Sequence, residues 1–278
     1  MKEKAKQLLK QIGWYHPLQS LYRNTRLQLT NLRYRILYRK YSGSGFTCNF
    51  CGASYSQFVP EYPSNDIAPV IYGQKVIAGF GEHVYCPRCL SKNRDRLVKV
   101  VLDHYLDSNH KRVLHFSPEK QLFANLSRRS MVTTVDIEPG FYKSIDKSIT
   151  FADATQLQFA DNSFDIIIAN HILEHIPDDR KAMREIYRVL QQQGVAILQA
   201  PWSQSLPATI EEPTIADPIQ QARLFGQRDH VRIYTLDDYV ERLTAAGFAV
   251  RVISAVELTT YSHHAIQAGE PVVLGYKI

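Results

Sequence analysis

The sequence of 278 residues lacks any apolar run of the roughly 20 residues that a transmembrane helix needs. The N-terminal stretch MKEKAKQLLKQIG also lacks the apolar core of a signal peptide. Cysteine is scarce, with four residues, and no internal repeat is present. These absences exclude a membrane-spanning protein or a secreted, disulfide-stapled one, and they predict a cytoplasmic globular protein. The length accommodates one large α/β domain with a small module, or two ordinary domains.

Acidic residues are nearly absent from residues 1–45, which contain ten lysines and arginines but only Glu3 as an acid. This segment carries +9 and the remaining chain −3, within an overall net charge of +6. Apolar residues recur at three-, four- and seven-residue steps, so residues 1–41 are predicted to be helical. We expect this basic arm to contact anionic lipid or a polyanionic glycan, and the alternative is a solvated helix packed on the domain. The SGSG sequence at 42–45 predicts a flexible hinge.

The four cysteines come as two C-x2-C pairs, CNFC and CPRC. They are Cys48 with Cys51 and Cys86 with Cys89. Two knuckles of this kind offer four thiolates to one tetrahedral Zn²⁺ and leave no open coordination position. We therefore predict a structural zinc module over residues 46–92. Unmetallated cysteines or a redox pair are the alternative.

From Lys111 onward, short apolar runs alternate with helical patterns. Such runs are typical of parallel strands that are buried on both faces. The alternation predicts an α/β fold with a doubly wound, mostly parallel, seven-stranded sheet and helices on both faces. We expect strands at 112–116, 132–136, 149–151, 165–169, 195–200, 248–256 and 272–278, and helices at 93–106, 179–191 and 236–246.

Polar residues stand at the ends of three predicted strands. Asp136 ends the second strand in TTVDIEP, Asp153 and Ala154 follow the third in FADATQLQF, and Asn170 and His171 end the fourth in DNSFDIIIANHILEHIPD. In this order they resemble the class I S-adenosylmethionine-dependent methyltransferases, in particular the type that includes ubiquinone-biosynthesis methyltransferases. The resemblance covers residues 111–278. It implies that Asp136 binds the ribose hydroxyls of the cofactor, that Asp153 contacts the adenine amino group with Ala154 beside the base, and that Asn170 borders the cofactor.

The stretch VLHFSPE, residues 113–119, contains no glycine where the first motif of that family has an acid followed by glycines. His115 takes the position of the acid, and Ser117 and Glu119 take two of the glycine positions. We expect Ser117 to cap the following helix, Pro118 to occupy its first position and Glu119 to lie in its first turn. S-adenosylmethionine carries an ammonium and a sulfonium, so Glu119 is predicted to replace the missing acid, with His115 and Ser117 also at the cofactor. The stretch resembles a variant first motif of a zinc-bearing subgroup, and a capped helix without a ligand is the alternative.

A proline-punctuated segment, residues 201–232, leads into the sequence FGQRDHVRIY. Long irregular segments of this kind often form lids or binding loops. Imidazole titrates near neutral pH, so His230 is predicted to be the general base, with Asp229 orienting it. His171 and His175 are the alternatives, and a purely structural role stays open for each histidine.

Two further arginines, Arg94 and Arg96, stand in SKNRDR at the start of a predicted helix. Guanidinium groups bind carboxylates and phosphates bidentately, so the pair is a candidate clamp for an anion. Solvated charge at a helix start is the equally weighted alternative.

The resulting hypothesis is an S-adenosylmethionine-dependent methyltransferase that acts on oxygen or nitrogen of a small-molecule, sugar or lipid-linked acceptor. Its predicted parts are the basic arm (1–45), the zinc module (46–92) and a class I methyltransferase domain (93–278), in the cytoplasm with peripheral membrane contact through the arm. The glycine-free first motif favours an alternative, a non-catalytic binding module with a degenerate cofactor site. A nucleic-acid methyltransferase is disfavoured, because ANHILEH replaces an Asn-Pro-Pro-Tyr-type motif after the fourth strand.

Overall fold

The computed structural model describes residues 15–278, except for the side chains of residues 15–17, 19–21, 23 and 24. The predicted N-terminal helix is confirmed as α1 (Tyr15–Leu37), and the part of that prediction that falls on residues 1–14 lies outside the described range. Among the described residues, no helix combines the length and hydropathy of a membrane span.

The region between α1 and the large sheet consists of short paired strands. In chain order it contains β1 (Ser42–Thr47), β2 (Ser54–Tyr55), β3 (Val59–Glu61), α2 (Ala68–Gly73), β4 (Val76–Ile77), β5 (Gly81–Tyr85) and α3 (Asn93–His104). β1 pairs with β2, and β3 pairs with β5, both antiparallel. The predicted hinge at 42–45 is wrong, because these residues belong to β1. Gly45 has a positive φ, and a Cβ at this position would lie 2.7 Å from the Cα of Ser56. Both the backbone conformation and the close approach require glycine here.

The remaining chain forms the large sheet and its helices. Its elements are β6 (Arg112–Phe116), α4 (Lys120–Leu126), β7 (Met131–Asp136), β8 (Thr150–Phe151), β9 (Phe164–Asn170), α5 (Asp179–Val189), β10 (Leu190–Gln199), β11 (Trp202–Ser203), β12 (Ile210–Glu211), α6 (Pro218–Phe225), β13 (Arg232–Ile233), α7 (Leu236–Ala245), β14 (Ala249–Ile253), α8 (Ala255–Leu258) and β15 (Val272–Tyr276). All seven predicted sheet strands are present, with shifts of a few residues at their ends.

The seven strands lie in the order β14-β15-β10-β9-β6-β7-β8. β15 runs antiparallel to both of its neighbours, and the other pairings are parallel. The chain builds outward from β6 through β7 to β8 and then returns to β9 on the other side of β6. This reversal places the topological switch point between β6 and β9, where open α/β sheets bind their ligands at the carboxyl ends of the strands.

Alternate residues of the central strands pack on opposite faces of the sheet. Ile167 belongs to the same buried cluster as Met183 of α5 and Leu243 of α7. Its neighbour Ile166 belongs to a second cluster with Val101 of α3 and Leu122 of α4. Helices therefore cover both faces, as predicted from the continuous apolar runs.

The segment between β10 and α7 is more regular than predicted. β11 pairs with β4, with Trp202 opposite Ile77, and β12 pairs with β13, with Ile210 opposite Ile233. The expectation of an irregular segment is wrong in part, because these short ladders tie it to the cysteine-bearing region and to its own C-terminal end, whereas residues 204–209, 212–217 and 226–231 lie outside helices and strands.

Candidate functional site

The stretch VLHFSPE runs along β6 and out at the switch point. Ser117 has a φ of +44°, and its hydroxyl donates to the Asp136 carboxylate at the end of β7. The predicted cap is wrong, because α4 begins at Lys120 and its N-cap residue is Glu119. The serine instead turns the chain and joins the ends of two parallel strands.

Glu119 lies at the centre of a polar network in the crevice between the carboxyl ends of β6 and β9, at the switch point. Its carboxylate accepts hydrogen bonds from His115 Nε2 at 2.8 Å and from Asn170 Nδ2 at 2.6 Å. Burial alone raises the pKa of Glu119, but the His115 hydrogen bond and the charge of Arg94 lower it below its ordinary value. An ionised carboxylate therefore occupies the place where the family's glycine loop would run.

Three further predicted cofactor residues lie at the ends of β7 and β8. Besides the Ser117 hydroxyl, Asp136 accepts the Glu138 amide at 2.6 Å through its other oxygen. Asp153 accepts the amide and the hydroxyl of Thr155, both at 2.8 Å and both through Oδ1. Ala154 is buried and belongs to the cluster under the sheet, so it forms a wall rather than a polar contact.

A second cluster follows β9, where a 3-10 turn spans Leu173–His175. Glu174 is fully buried, and its Oε1 lies 3.3 Å from His171 Nδ1, 3.9 Å from His175 Nε2 and 3.8 Å from His230 Nε2. By strict geometry neither carboxylate oxygen of Glu174 has a hydrogen-bond partner among the described residues, and the His171 contact at 3.3 Å is long. Three histidines thus surround one buried carboxylate beside the switch point.

The predicted pairing of Asp229 with His230 is not found. The Asp229 carboxylate lies 3.4 Å from His175 Nδ1, whereas His230 faces Glu174 and packs edge-on against the His175 ring at 4.6 Å between centroids. Burial lowers the pKa of His230 to about 4, against the opposing charge of Glu174. For His175, burial acts in the same direction but is outweighed by Asp229 and Glu174, so its pKa is raised. His230 is therefore neutral near pH 7.

Arg94 brings positive charge to the same edge from the start of α3. Burial has the largest influence on the pKa values of Glu119, His171 and Glu270, raising those of the two acids and lowering that of the histidine. The Arg94 guanidinium lowers all three. Arg94 Nε is buried without a hydrogen-bond partner among the described residues, as is Asn170 Oδ1. These orphaned atoms border the crevice and fit a site that is completed by a polar ligand.

Arg96 has a structural role and does not form the predicted clamp. It is fully buried and donates to five backbone carbonyl groups, including those of Val84 at 3.2 Å and Ala265 at 2.5 Å. Because Val84 lies in β5 and Ala265 precedes β15, this side chain joins the cysteine-bearing region to the large sheet. That junction fixes the start of α3 and with it the position of Arg94.

The four cysteine sulfurs converge, with all Sγ atoms within 4.8 Å of one another. Cys48 Sγ lies 3.6 Å from Cys89 Sγ, and Cys51 Sγ lies 3.7 Å from Cys86 Sγ. Gly52 and Leu90, the residues that follow each pair, both adopt a positive φ, so the two knuckles turn in the same way. Gln121 of α4 donates to the Cys89 carbonyl at 2.8 Å and thereby ties the second knuckle to the helix that follows Glu119.

Comparison with known proteins identifies the chemistry of this fold. A family model described as a methyltransferase domain matches residues 119–198, which span Glu119, Asp136, Asp153 and Asn170. This chain is an S-adenosylmethionine-dependent methyltransferase. Its large sheet has seven strands, mostly parallel, with helices on both faces, as the sequence predicted.

Two curated relatives of the methyltransferase are informative. It is 26% identical over 198 residues to uncharacterized methyltransferase YcgJ of Bacillus subtilis, covering 69% of this chain and 73% of that protein. It is 43% identical over 58 residues to the ubiquinone/menaquinone biosynthesis C-methyltransferase UbiE of Bdellovibrio bacteriovorus, covering 20% of this chain and 25% of that protein. The crystal structure of YcgJ superposes on 65% of this chain and 97% of that chain, with 20% identity and a TM-score of 0.41.

Sequence reasoning missed two acids of the methyltransferase. Glu174 was visible in the LEHIPD motif, but only the fold shows that its side chain faces three histidines rather than solvent. Glu270, which accepts from Gln199 Nε2 at 2.7 Å, lies far along the chain from the other residues and gave no signal. It reaches the carboxyl edge because β15 is antiparallel and begins where its neighbours end.

Proposed function

We propose that this enzyme transfers a methyl group to oxygen or nitrogen of a small-molecule, sugar or lipid-linked acceptor at the β6–β9 crevice. The network of His115, Glu119 and Asn170 carries the proposal, because it supplies an ionised acid at the switch point although the first motif lacks glycine. Ubiquinone and menaquinone appear in the name of one relative, but no observation on this chain favours a quinone acceptor.

The crevice has groups that match each part of S-adenosylmethionine. Glu119 would face the ammonium, Arg94 the methionine carboxylate, Asp136 the ribose hydroxyls and Asp153 the adenine, with Ala154 beside the base. The pairing of Arg94 with Glu119 matches the zwitterionic end of the cofactor charge for charge. Ser117 holds Asp136, so its hydroxyl contributes to the site indirectly.

When bound, the cofactor supplies a sulfonium methyl that is already activated for transfer. The residues of the chain then have two tasks, which are to align the acceptor and to take up its proton. His230 is neutral near pH 7 and faces Glu174, whose negative charge stabilises an imidazolium once the proton has moved. Asp229 acts on His175, which packs against His230 and limits its rotation. His171 lies next to Asn170 and is assigned to the cofactor edge.

The four cysteines are proposed to hold one structural zinc ion. A tetrahedron with Zn–S bonds of about 2.3 Å has edges of about 3.8 Å, and the Sγ–Sγ separations of Cys48 from Cys89 and of Cys51 from Cys86 are 3.6 and 3.7 Å. The buried guanidinium of Arg96 lies near these sulfurs and offsets the negative charge of a four-thiolate site. Such a zinc would hold in place the cysteine-bearing region that leads into Arg94. A zinc site here would also agree with the resemblance of the first motif to a zinc-bearing subgroup.

The N-terminal helix is proposed to contact an anionic lipid surface. Leu29, Leu32 and Ile36 of α1 are exposed, and the exposed side chains of Arg26 and Arg33 stand on the same helix. An interfacial helix combines apolar and basic residues in this way. α1 is joined to the zinc region by Arg35, which donates to the Arg88 carbonyl at 3.1 Å. Bound lipid would therefore bring a lipid-linked acceptor close to the module.

Calorimetric titration with S-adenosylhomocysteine tests the function directly. The expected result is one saturable site per chain, and the Glu119→Gln variant should bind more weakly because it lacks the charge that faces the ammonium. Methyl transfer from labelled cofactor to pools of hydroxyl, amine and carbon acceptors then identifies the acceptor atom. Absence of binding to the wild-type chain would overturn the proposal, and transfer to carbon alone would correct the acceptor.

A further inference from the structure

We infer that Glu174, His175 and His230 form a second metal site, which takes a divalent first-row transition ion such as Zn²⁺. Each residue offers one ligand atom, and these atoms lie within 4.8 Å of one another. One carboxylate and two imidazoles are a ligand set that zinc accepts, with the fourth position left for water or a substrate oxygen. The site is separate from the four cysteines and shares no residue with them.

The strongest observation concerns the buried carboxylate of Glu174. Its side chain has no solvent exposure, and neither oxygen accepts a hydrogen bond from any described residue. Burying a carboxylate without such partners costs folding free energy, and a positive charge beside it offsets that cost. The histidine nitrogens stand at 3.3–3.9 Å, which is too far for short hydrogen bonds to this carboxylate.

The orientation of His175 also fits ligation. Its Nδ1 is directed at Asp229, 3.2 Å from the carbonyl oxygen and 3.4 Å from the carboxylate. A proton on Nδ1 leaves the Nε2 lone pair facing Glu174. Metal-bound histidines typically donate their second nitrogen to a carboxylate or carbonyl in this manner, because the contact fixes the ring and its tautomer.

The backbone around the three ligands is fixed from both sides. The Val231 amide donates to the Glu174 carbonyl at 3.0 Å and so joins the segment of His230 to the turn of Glu174. The buried side chain of Arg232 donates to the carbonyls of Leu173 at 2.9 Å and Ile176 at 2.5 Å, on either side of the same turn. Ligand atoms in a zinc tetrahedron lie about 3.3 Å apart, so shifts of about half an ångström would bring the His175 and His230 nitrogens, which lie 3.9 and 3.8 Å from Glu174 Oε1, to ligand spacing from that oxygen.

An ion at this position would use the His230 lone pair, so His230 would then hold the metal and would not accept the acceptor proton. Metal binding is measured without turnover, so its failure leaves the proposed methyl transfer and the proposed base untouched.

The test is the zinc content of the full-length protein, without a polyhistidine tag, after equilibration with Zn²⁺ and desalting. Elemental analysis should find one zinc fewer per chain in His175→Ala and in Glu174→Gln than in the wild type. His263→Ala, a matched control at a histidine outside both clusters, should retain the wild-type content. Equal zinc in the wild type and both site variants would overturn the inference.

A second measurement needs no variant and therefore does not depend on variant folding. Co²⁺ is titrated into wild-type protein that holds one zinc per chain, so that the cysteine site is filled and the second site is empty. One saturable equivalent of visible cobalt absorption, without thiolate charge-transfer bands, is the expected result. Failure of Co²⁺ to saturate any such site would likewise overturn the inference.

Discussion

Glu119 accepts a hydrogen bond from Asn170 at 2.6 Å, across the crevice between β6 and β9. The contact joins the end of the glycine-free motif to the end of the fourth strand of the domain. In a glycine-loop design the backbone approaches the cofactor closely, whereas here side chains from two strand ends provide the polar surface. Loss of the glycines therefore leaves the crevice with a defined set of charged groups.

The first prediction concerns the ribose end of the cofactor. Asp136→Ala should weaken binding of S-adenosylhomocysteine by roughly 1.5–3 kcal/mol, as expected for a lost charged hydrogen-bonding group. Calorimetry measures the change, with Asp237→Ala, an exposed acid on α7, as the control. If Asp136→Ala bound as tightly as the wild type, the ribose assignment would be wrong.

The second prediction concerns the four cysteines. Cys86→Ser should release one zinc ion and lower the melting temperature, because metal binding at such a site contributes folding free energy. It should also weaken cofactor binding, since the second knuckle is tied to α4 by Gln121 and leads into the segment that bears Arg94. Elemental analysis, thermal unfolding and calorimetry report the three effects. A wild-type protein purified without chelator and free of zinc would contradict the assignment.

The third prediction concerns the basic helix. Reversing the charge at Arg26 and Arg33 to Glu should reduce sedimentation with anionic vesicles, and rising salt should reduce binding of the wild type in the same assay. Arg180→Glu with Arg184→Glu serves as the matched control, because these residues are exposed on α5. S-adenosylhomocysteine affinity should be unchanged in both variants. Equal vesicle binding by the two pairs would rule out α1 as the contact.

The fourth prediction is a pH dependence of stability. Burial raises the pKa of Glu270 to about 7 in the folded protein, against its ordinary value of 4.5. The folded state therefore holds this proton more tightly than the unfolded state, so the stability from this group is complete below about pH 4.5 and is lost as pH rises towards 7. Glu270→Gln removes the ionisation and should stabilise the protein by about 1–3 kcal/mol at pH 8, with little change near pH 4.5. Denaturant unfolding at both pH values measures the difference, and Glu241→Gln, an exposed acid, should show none.

The strands of the sheet could be predicted from the sequence because buried parallel strands consist of continuous apolar runs, as in residues 164–170. The convergence of the cysteine sulfurs likewise followed from spacing alone. Local rules failed at Ser117, where the hydroxyl finds Asp136 across the sheet instead of the amides of its own helix. They also failed at Arg96 and Glu174, whose burial depends on segments far apart in the chain. Side-chain partners that come from distant segments have no periodicity or spacing that a sequence can display.

The last prediction concerns the proton acceptor. His230→Ala should lower turnover by roughly 10²–10⁴-fold, the usual contribution of a general base, and leave S-adenosylhomocysteine affinity nearly intact. The physical reason is its place beside Glu174, which is ionised because its three histidine neighbours hold its pKa at about 2 against the effect of burial. His171→Ala should instead change affinity and turnover together, since His171 follows Asn170 at the cofactor edge, and His263→Ala should change neither. Loss of turnover in His230→Ala is expected whether the imidazole takes a proton or ligates a metal, but only ligation also removes one zinc per chain. Unaltered turnover in His230→Ala, with an acceptor in hand, would eliminate both roles for this histidine.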